Sequence, residues 1–82
     1  MFKNKNDGRN NLCGENVRIL RLSSPKKLSQ RALADQMQLI GIDIDKNAIQ
    51  RIESGKRFVT DVELRGFSEV FNVSIDRLIS AK

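Results

Sequence analysis

Residues 45–57 read DKNAIQRIESGKR. Asp45 is a good N-cap and Gly55 a natural stop, so the stretch between them is a helix of about ten residues, roughly 15 Å long. Only Ala48, Ile49 and Ile52 in it are apolar. On a wheel of about 100° per residue these three cluster, and Lys46, Asn47, Gln50, Arg51 and Ser54 spread over the other side. The inner stripe is just wide enough to dock the helix on a core. The outer side is a row of donors on flexible stems. Lys and Arg can bond O6 and N7 of guanine, and Asn and Gln can pair with adenine in bidentate fashion. An α-helix fits the major groove, and its first turn comes nearest the base edges. Any surface helix has a polar face, so the flanking segments must carry part of the argument.

Upstream, ENVRILRLSS (15–24) reads as a first helix with Val17, Leu20 and Ile19 as candidates for its inward stripe, stopped by Pro25. In KKLSQRALADQMQLIG (26–41), Ser29 is an N-cap. Leu33, Ala34 and Met37 recur at helical spacing, Leu39 or Ile40 continues the stripe, and Gly41 ends it. Ile42 or Ile44, in the turn IDID, is expected to plug the space between this second helix and the third. Downstream, TDVELRGFSEVFN (60–72) is a fourth helix with a capping box formed by Thr60 and Glu63. Val62 or Leu64, with Phe67, Val70 and Phe71, supplies its buried face. Gly66 in its middle costs roughly 1 kcal/mol relative to alanine, which a close approach of another element would explain. Asn72 closes it. Ser74 caps a fifth helix in which Ile75, Leu78 and Ile79 face inward. No alternation typical of strands and no internal repeat is evident. The expectation is an all-α, compact five-helix domain.

Residues 1–14 are rich in Asn, Lys and Gly, with almost nothing to bury. They read as a flexible basic tail ahead of a domain at 15–82. Lys3, Lys5 and Arg9 are candidates for an arm that touches phosphates, against the plainer reading of a frayed terminus. The whole chain, 82 residues, is enough for one domain. Fifteen basic and ten acidic residues leave a net charge of +5. The excess sits in patches: +2 over 1–14, +3 over 15–28 and +2 over 45–58, with −1 in each remaining stretch. Such a field suits a polyanion such as nucleic acid. The single cysteine, Cys13, leaves no internal disulfide, which fits a reducing cytoplasm. No apolar run approaches the ~20 residues of a membrane span, and the start lacks the apolar block of a secretion signal.

The segments VRILR, LSQRALA, AIQRIESGKR, ELRGFSEVFNVS and DRL, in that order, resemble the lambda-repressor-like, Cro-type helix-turn-helix family of bacterial and phage regulators. The resemblance covers roughly residues 16–80. It implies that helices 2 and 3 form the helix-turn-helix, with helix 3 as the recognition helix. Lys46, Asn47 and Arg51 match the family's base-reading positions, and Gln50 joins them from the wheel. Gln30, at the start of helix 2, would touch a phosphate where free backbone N–H groups favour an anion. Lys56 and Arg57 would grip the backbone. Arg21 and Glu53 match a pair that ties helix 1 to helix 3, with Arg18 as a competing partner for Glu53. Two departures stand out. The link containing SSPKK is long, and Lys26 and Lys27 in it either reach the DNA backbone or remain a solvated pair. The stretch from Ala34 to Asp45 is about five residues longer than the family norm, so helix 2 gains about a turn and IDID makes a wider turn after it.

Enzyme chemistry finds little to work with. Histidine is absent, the only thiol lies near the N-terminus, and no glycine-rich phosphate loop occurs. Asp43 and Asp45 fall short of a calcium loop. No catalytic residue, cofactor, metal or small-molecule ligand is expected. The expected partner is double-stranded DNA, bound by a transcriptional repressor without a separate sensor domain. A homodimer would pair through a small surface around helix 5, at Ile75 and Ile79. The rival is an antitoxin-like or adaptor protein using the same fold to bind protein. That role would call for apolar residues on the outer face of helix 3, which is polar and cationic instead.

Overall fold

The computed structural model describes residues 8–25 and 27–80, and within them the regular structure is helical. Five helices follow one another: α1 (Gly14–Ser23), α2 (Gln30–Leu39), α3 (Lys46–Glu53), α4 (Asp61–Phe71) and α5 (Ile75–Ile79). Four of them begin on the side chain anticipated from sequence. Ser29, Asp45, Thr60 and Ser74 each accept a hydrogen bond from the backbone N–H three residues on. Thr60 and Glu63 complete the capping box. Three helices end in the same way, on a residue in the left-handed region. Gly41 (φ +87°), Gly55 (φ +82°) and Asn72 (φ +54°) each turn the chain. Paired backbone bonds close each end, such as Ile42 N–H to Met37 O at 3.0 Å and Lys56 N–H to Arg51 O at 2.9 Å.

The core is aliphatic around one aromatic ring. Phe67 is fully buried among Val17, Leu33, Met37, Ile49, Ile52 and Leu78. Each such side chain contributes roughly 1.5–3 kcal/mol relative to exposure. α2 packs on α3 and α4, while α1 packs on α3, α4 and α5. The lengthened turn fills its own gap. Ile44 is buried and Ile42 packs beside it against the core. Gln38 Nε2 donates to the Ile44 carbonyl at 3.0 Å, which fastens the turn to the end of α2. Gly66 is explained here: a Cβ on it would run into the tips of Ile42 and Met37. The close approach to α4 is made by the turn and by α2.

Several expectations need correction. Leu39 is 78% exposed and Ile40 42%, so neither continues the inward stripe of α2. The helix ends at Leu39, Gly41 reverses the chain, and Ile44 enters the core instead. Of the alternatives in α4, Leu64 packs inward and Val62 is 61% exposed. In α5 only Leu78 is buried; Ile75 (41%) and Ile79 (36%) lie at the surface. A tail running through Gly14 is not what forms. Arg9, Asn10 and Asn11 bond to the end of α3, and Cys13 and Gly14 are buried. Lys3, Lys5 and Lys26 lie outside the described residues. No helix among the described residues is long and apolar enough to cross a membrane.

Candidate nucleic-acid interface

α3 divides as its sequence dictates. Ile49 and Ile52 are fully buried, and Ala48 is half-buried. Lys46, Asn47, Gln50 and Arg51 are all exposed. Among the described residues, none of these four side chains has a hydrogen-bond or ion-pair partner within the protein. The face therefore carries two cations and two amides with their donors free. It spans the first two turns of the helix, where side chains can reach a surface lying across its N-terminal end.

The inner side of α3 is held by a buried fork. Arg21 Nε donates to Glu53 Oε2 at 2.7 Å, and Arg21 Nη2 donates to Glu53 Oε1 at 2.9 Å. The remaining Arg21 nitrogen, Nη1, donates to the Leu28 carbonyl at 3.0 Å, on the approach to α2. Arg18 is exposed, so Arg21 is the partner of Glu53. The reason is positional: Arg21 lies one turn after Val17, on the buried side of α1. Gln30 joins the same carboxylate, its Nε2 donating to Glu53 Oε1 at 3.1 Å. α1 and α2 thus converge on Glu53 of α3. A planar fork of this kind is directional, and it fixes the rotation of α3 about its own axis. Gln30 keeps one amide N–H, and the backbone N–H groups of Gln30 and Arg31 remain beside it, that of Ala32 being taken by Ser29.

Lys56 and Arg57, adjacent in sequence, are used differently. Lys56 is exposed. Arg57 places Nη1 at 2.8 Å from Glu63 Oε1 and Nη2 at 3.1 Å from Glu63 Oε2. Glu63 Oε1 also accepts the Thr60 backbone N–H at 3.1 Å. Burial alone would push the Glu63 carboxyl up. The bond from Arg57 and those around Thr60 outweigh that, so it lies below its ordinary value. The bond to Glu63 raises Arg57 in turn. Arg57 therefore presents a charge already countered, and Lys56 does not.

Little in the residue pattern announces the bonds made by the segment before α1. Arg9 Nη2 donates to the Glu53 carbonyl at 2.7 Å. Asn10 N–H donates to the Gly55 carbonyl at 2.7 Å, and its Nδ2 to the Lys56 carbonyl at 2.9 Å. Asn11 Nδ2 donates to the carbonyls of Ile52 (3.0 Å) and Arg57 (2.8 Å), while its Oδ1 accepts the Gly14 N–H at 2.8 Å. Residues 9–11 thus meet the carbonyls of Ile52 and Glu53 in the last turn of α3 and those of Gly55, Lys56 and Arg57 beyond it. Asn16 was also unanticipated. It is buried, donates to the carbonyls of Leu78 and Ser80, and accepts from Arg77. Adjacent asparagines just ahead of a helix start are a cap signal, and that is the signal that could have drawn attention to Asn11.

The described residues hold no group of three or more acidic, histidine or cysteine side chains arranged to bind a metal. Among known proteins, the family model described as helix-turn-helix matches residues 17–78. Searches among curated proteins and among solved structures returned no match. The matched span takes in all but the first residues of α1 and runs into α5, most of the chain. The chain belongs to the helix-turn-helix family of lambda-repressor-like and Cro-like DNA-binding transcription regulators.

Proposed function

We propose that the protein binds double-stranded DNA with sequence preference by laying α3 in the major groove, and that it represses transcription by occupying its site. The observation that carries this is the outer face of α3: Lys46, Asn47, Gln50 and Arg51, exposed and without partners among the described residues, on a helix whose rotation is fixed by Glu53. Arg51 and Lys46 suit guanine, and Asn47 and Gln50 suit adenine. Lys56 takes a phosphate as a free cation. Gln30 does so with the N–H that Glu53 leaves unused, aided by the first turn of α2. Arg57 contributes less than Lys56, because Glu63 already balances it. Phosphate contacts set the register and α3 reads within it. Repression needs nothing beyond occupancy of the site, and the protein works where the DNA is, in the cytoplasm. A role in docking protein alone would want an apolar outer face on α3.

Methylation interference tests the groove. Dimethyl sulfate marks guanine N7 in the major groove and adenine N3 in the minor groove. Binding of a selected duplex is expected to be blocked by marks on guanine N7 in two or three adjacent positions. Interference confined to adenine N3 would overturn the reading.

A further inference from the structure

The segment Arg9–Asn11 lies outside the family match, yet it makes five hydrogen bonds to the end of α3 and the turn after it. Its donors meet the carbonyls of Ile52, Glu53, Gly55, Lys56 and Arg57 in turn. Arg9 is the donor to the Glu53 carbonyl, one of the last carbonyls of the helix, which the left-handed turn at Gly55 leaves over. Its guanidinium lies over Gly55, in space that a Cβ there would need. Asn11 works in two directions at once. Its oxygen receives the first N–H of α1, and its nitrogen serves the last turn of α3. Gly14 completes the junction, since a Cβ on it would strike the Ile52 carbonyl. The positive end of α1 is therefore set directly against the negative end of α3.

We propose that residues 9–11 form a clamp that positions the recognition helix, with Arg9 and Asn11 as its positioning residues. The clamp sets the far end of α3 and the Lys56 turn, as the Arg21–Glu53 fork sets the rotation of the helix. Arg9 then supports DNA recognition from inside the protein and makes no phosphate contact of its own. The inference rests on α3 being the reader.

The two roles open to Arg9 differ in their salt dependence. A lost phosphate contact flattens the plot of log binding constant against log salt by about 0.9 per contact, and a lost positioning contact leaves the slope alone. The variants are Arg9→Met, which keeps the stem over Gly55, and Asn11→Ser, which keeps an acceptor for α1 and removes both amide N–H donors. Arg9→Lys keeps the charge, and it reports if the other two fail to fold. Each full-length variant is titrated with a selected duplex at two salt concentrations, and amide hydrogen exchange is followed on the free protein. The clamp predicts faster exchange confined to residues 50–57, affinity lower by on the order of tenfold, and an unchanged salt slope. Arg9→Lys should recover the affinity only in part. A flatter slope with unchanged exchange, full recovery by lysine, or local exchange that rises without loss of affinity would each overturn it. Arg51→Ala in the same titrations examines the reader separately. If it leaves sequence preference intact, α3 is not the reader, and the clamp has no role in recognition whatever the exchange shows.

Discussion

Lys56 and Arg57 show how neighbouring cations can have different uses. Lys56→Ala is expected to weaken binding to all duplexes alike and to reduce the salt slope by about 0.9. Arg57→Ala should reduce it by less, because the charge removed was already paired with Glu63. Fluorescence anisotropy at several salt concentrations compares them, and equal slopes would contradict the assignment. Glu63 also ties stability to pH. Its carboxyl is held below the ordinary 4.5, so its contribution is complete above that value. As pH falls below 4.5 and through the depressed value, the folded state resists a proton that the unfolded state accepts, and the contribution is lost. Urea melts from neutral to acid pH should show a shallower acid-side fall for Glu63→Gln than for the natural protein. At Cys13, burial pushes the thiol up to about 11. Alkylation at neutral pH should therefore be slow in the folded protein and accelerate in step with unfolding by urea.

Each helix can be asked how much of it was written in its own residues. The caps at Ser29, Asp45, Thr60 and Ser74 were readable, because a cap is local chemistry between residues three apart. The stripe of α3 was readable for the same reason, since Ile49 and Ile52 leave no other side to bury. The stop of α2 at Gly41 was readable too, but the fate of the two residues before it was not. Leu39 and Ile40 have the right spacing, but a left-handed turn at Gly41 and the entry of Ile44 decide which isoleucine is covered. The bonds from Arg9, Asn10 and Asn11 to α3 join residues more than forty positions apart, and no periodicity announces them. The proposed base-reading positions follow from the exposed face of one helix, whereas the Arg57–Glu63 pair does not show in the sequence, where Glu63 already has a role in the capping box. The Arg21–Glu53 fork gives a sharp expectation at this level. Glu53→Ala would leave Arg21 buried without its partner and cost about 3–5 kcal/mol in a urea melt, a large share of the stability of so small a domain. Gly14→Ala should also destabilise, although alanine favours helices, because the atom in the way is the backbone oxygen of Ile52.

The recognition face proposed for the molecule draws on three places in the chain: the start of α2, α3, and the turn at Lys56. The lengthened α2–α3 turn does not disturb the fork between α1 and α3, because its extra residues fold back on Met37 and Gly66. Ile75 and Ile79 lie partly exposed on α5. Pairing of two copies there would set half-sites about 34 Å apart, one turn of DNA. Light scattering on the protein alone and with DNA checks this, and a strict monomer in both states rules it out. The most direct measurement is selection from a random duplex pool at fixed salt, run in parallel on the natural protein and on Arg51→Ala. The natural protein should select a defined motif, and the variant should relax preference at one or two positions, worth about 1–3 kcal/mol there, while keeping the rest. An unchanged motif in the variant, or no motif for either protein, would contradict the assignment of α3 as the element that reads DNA.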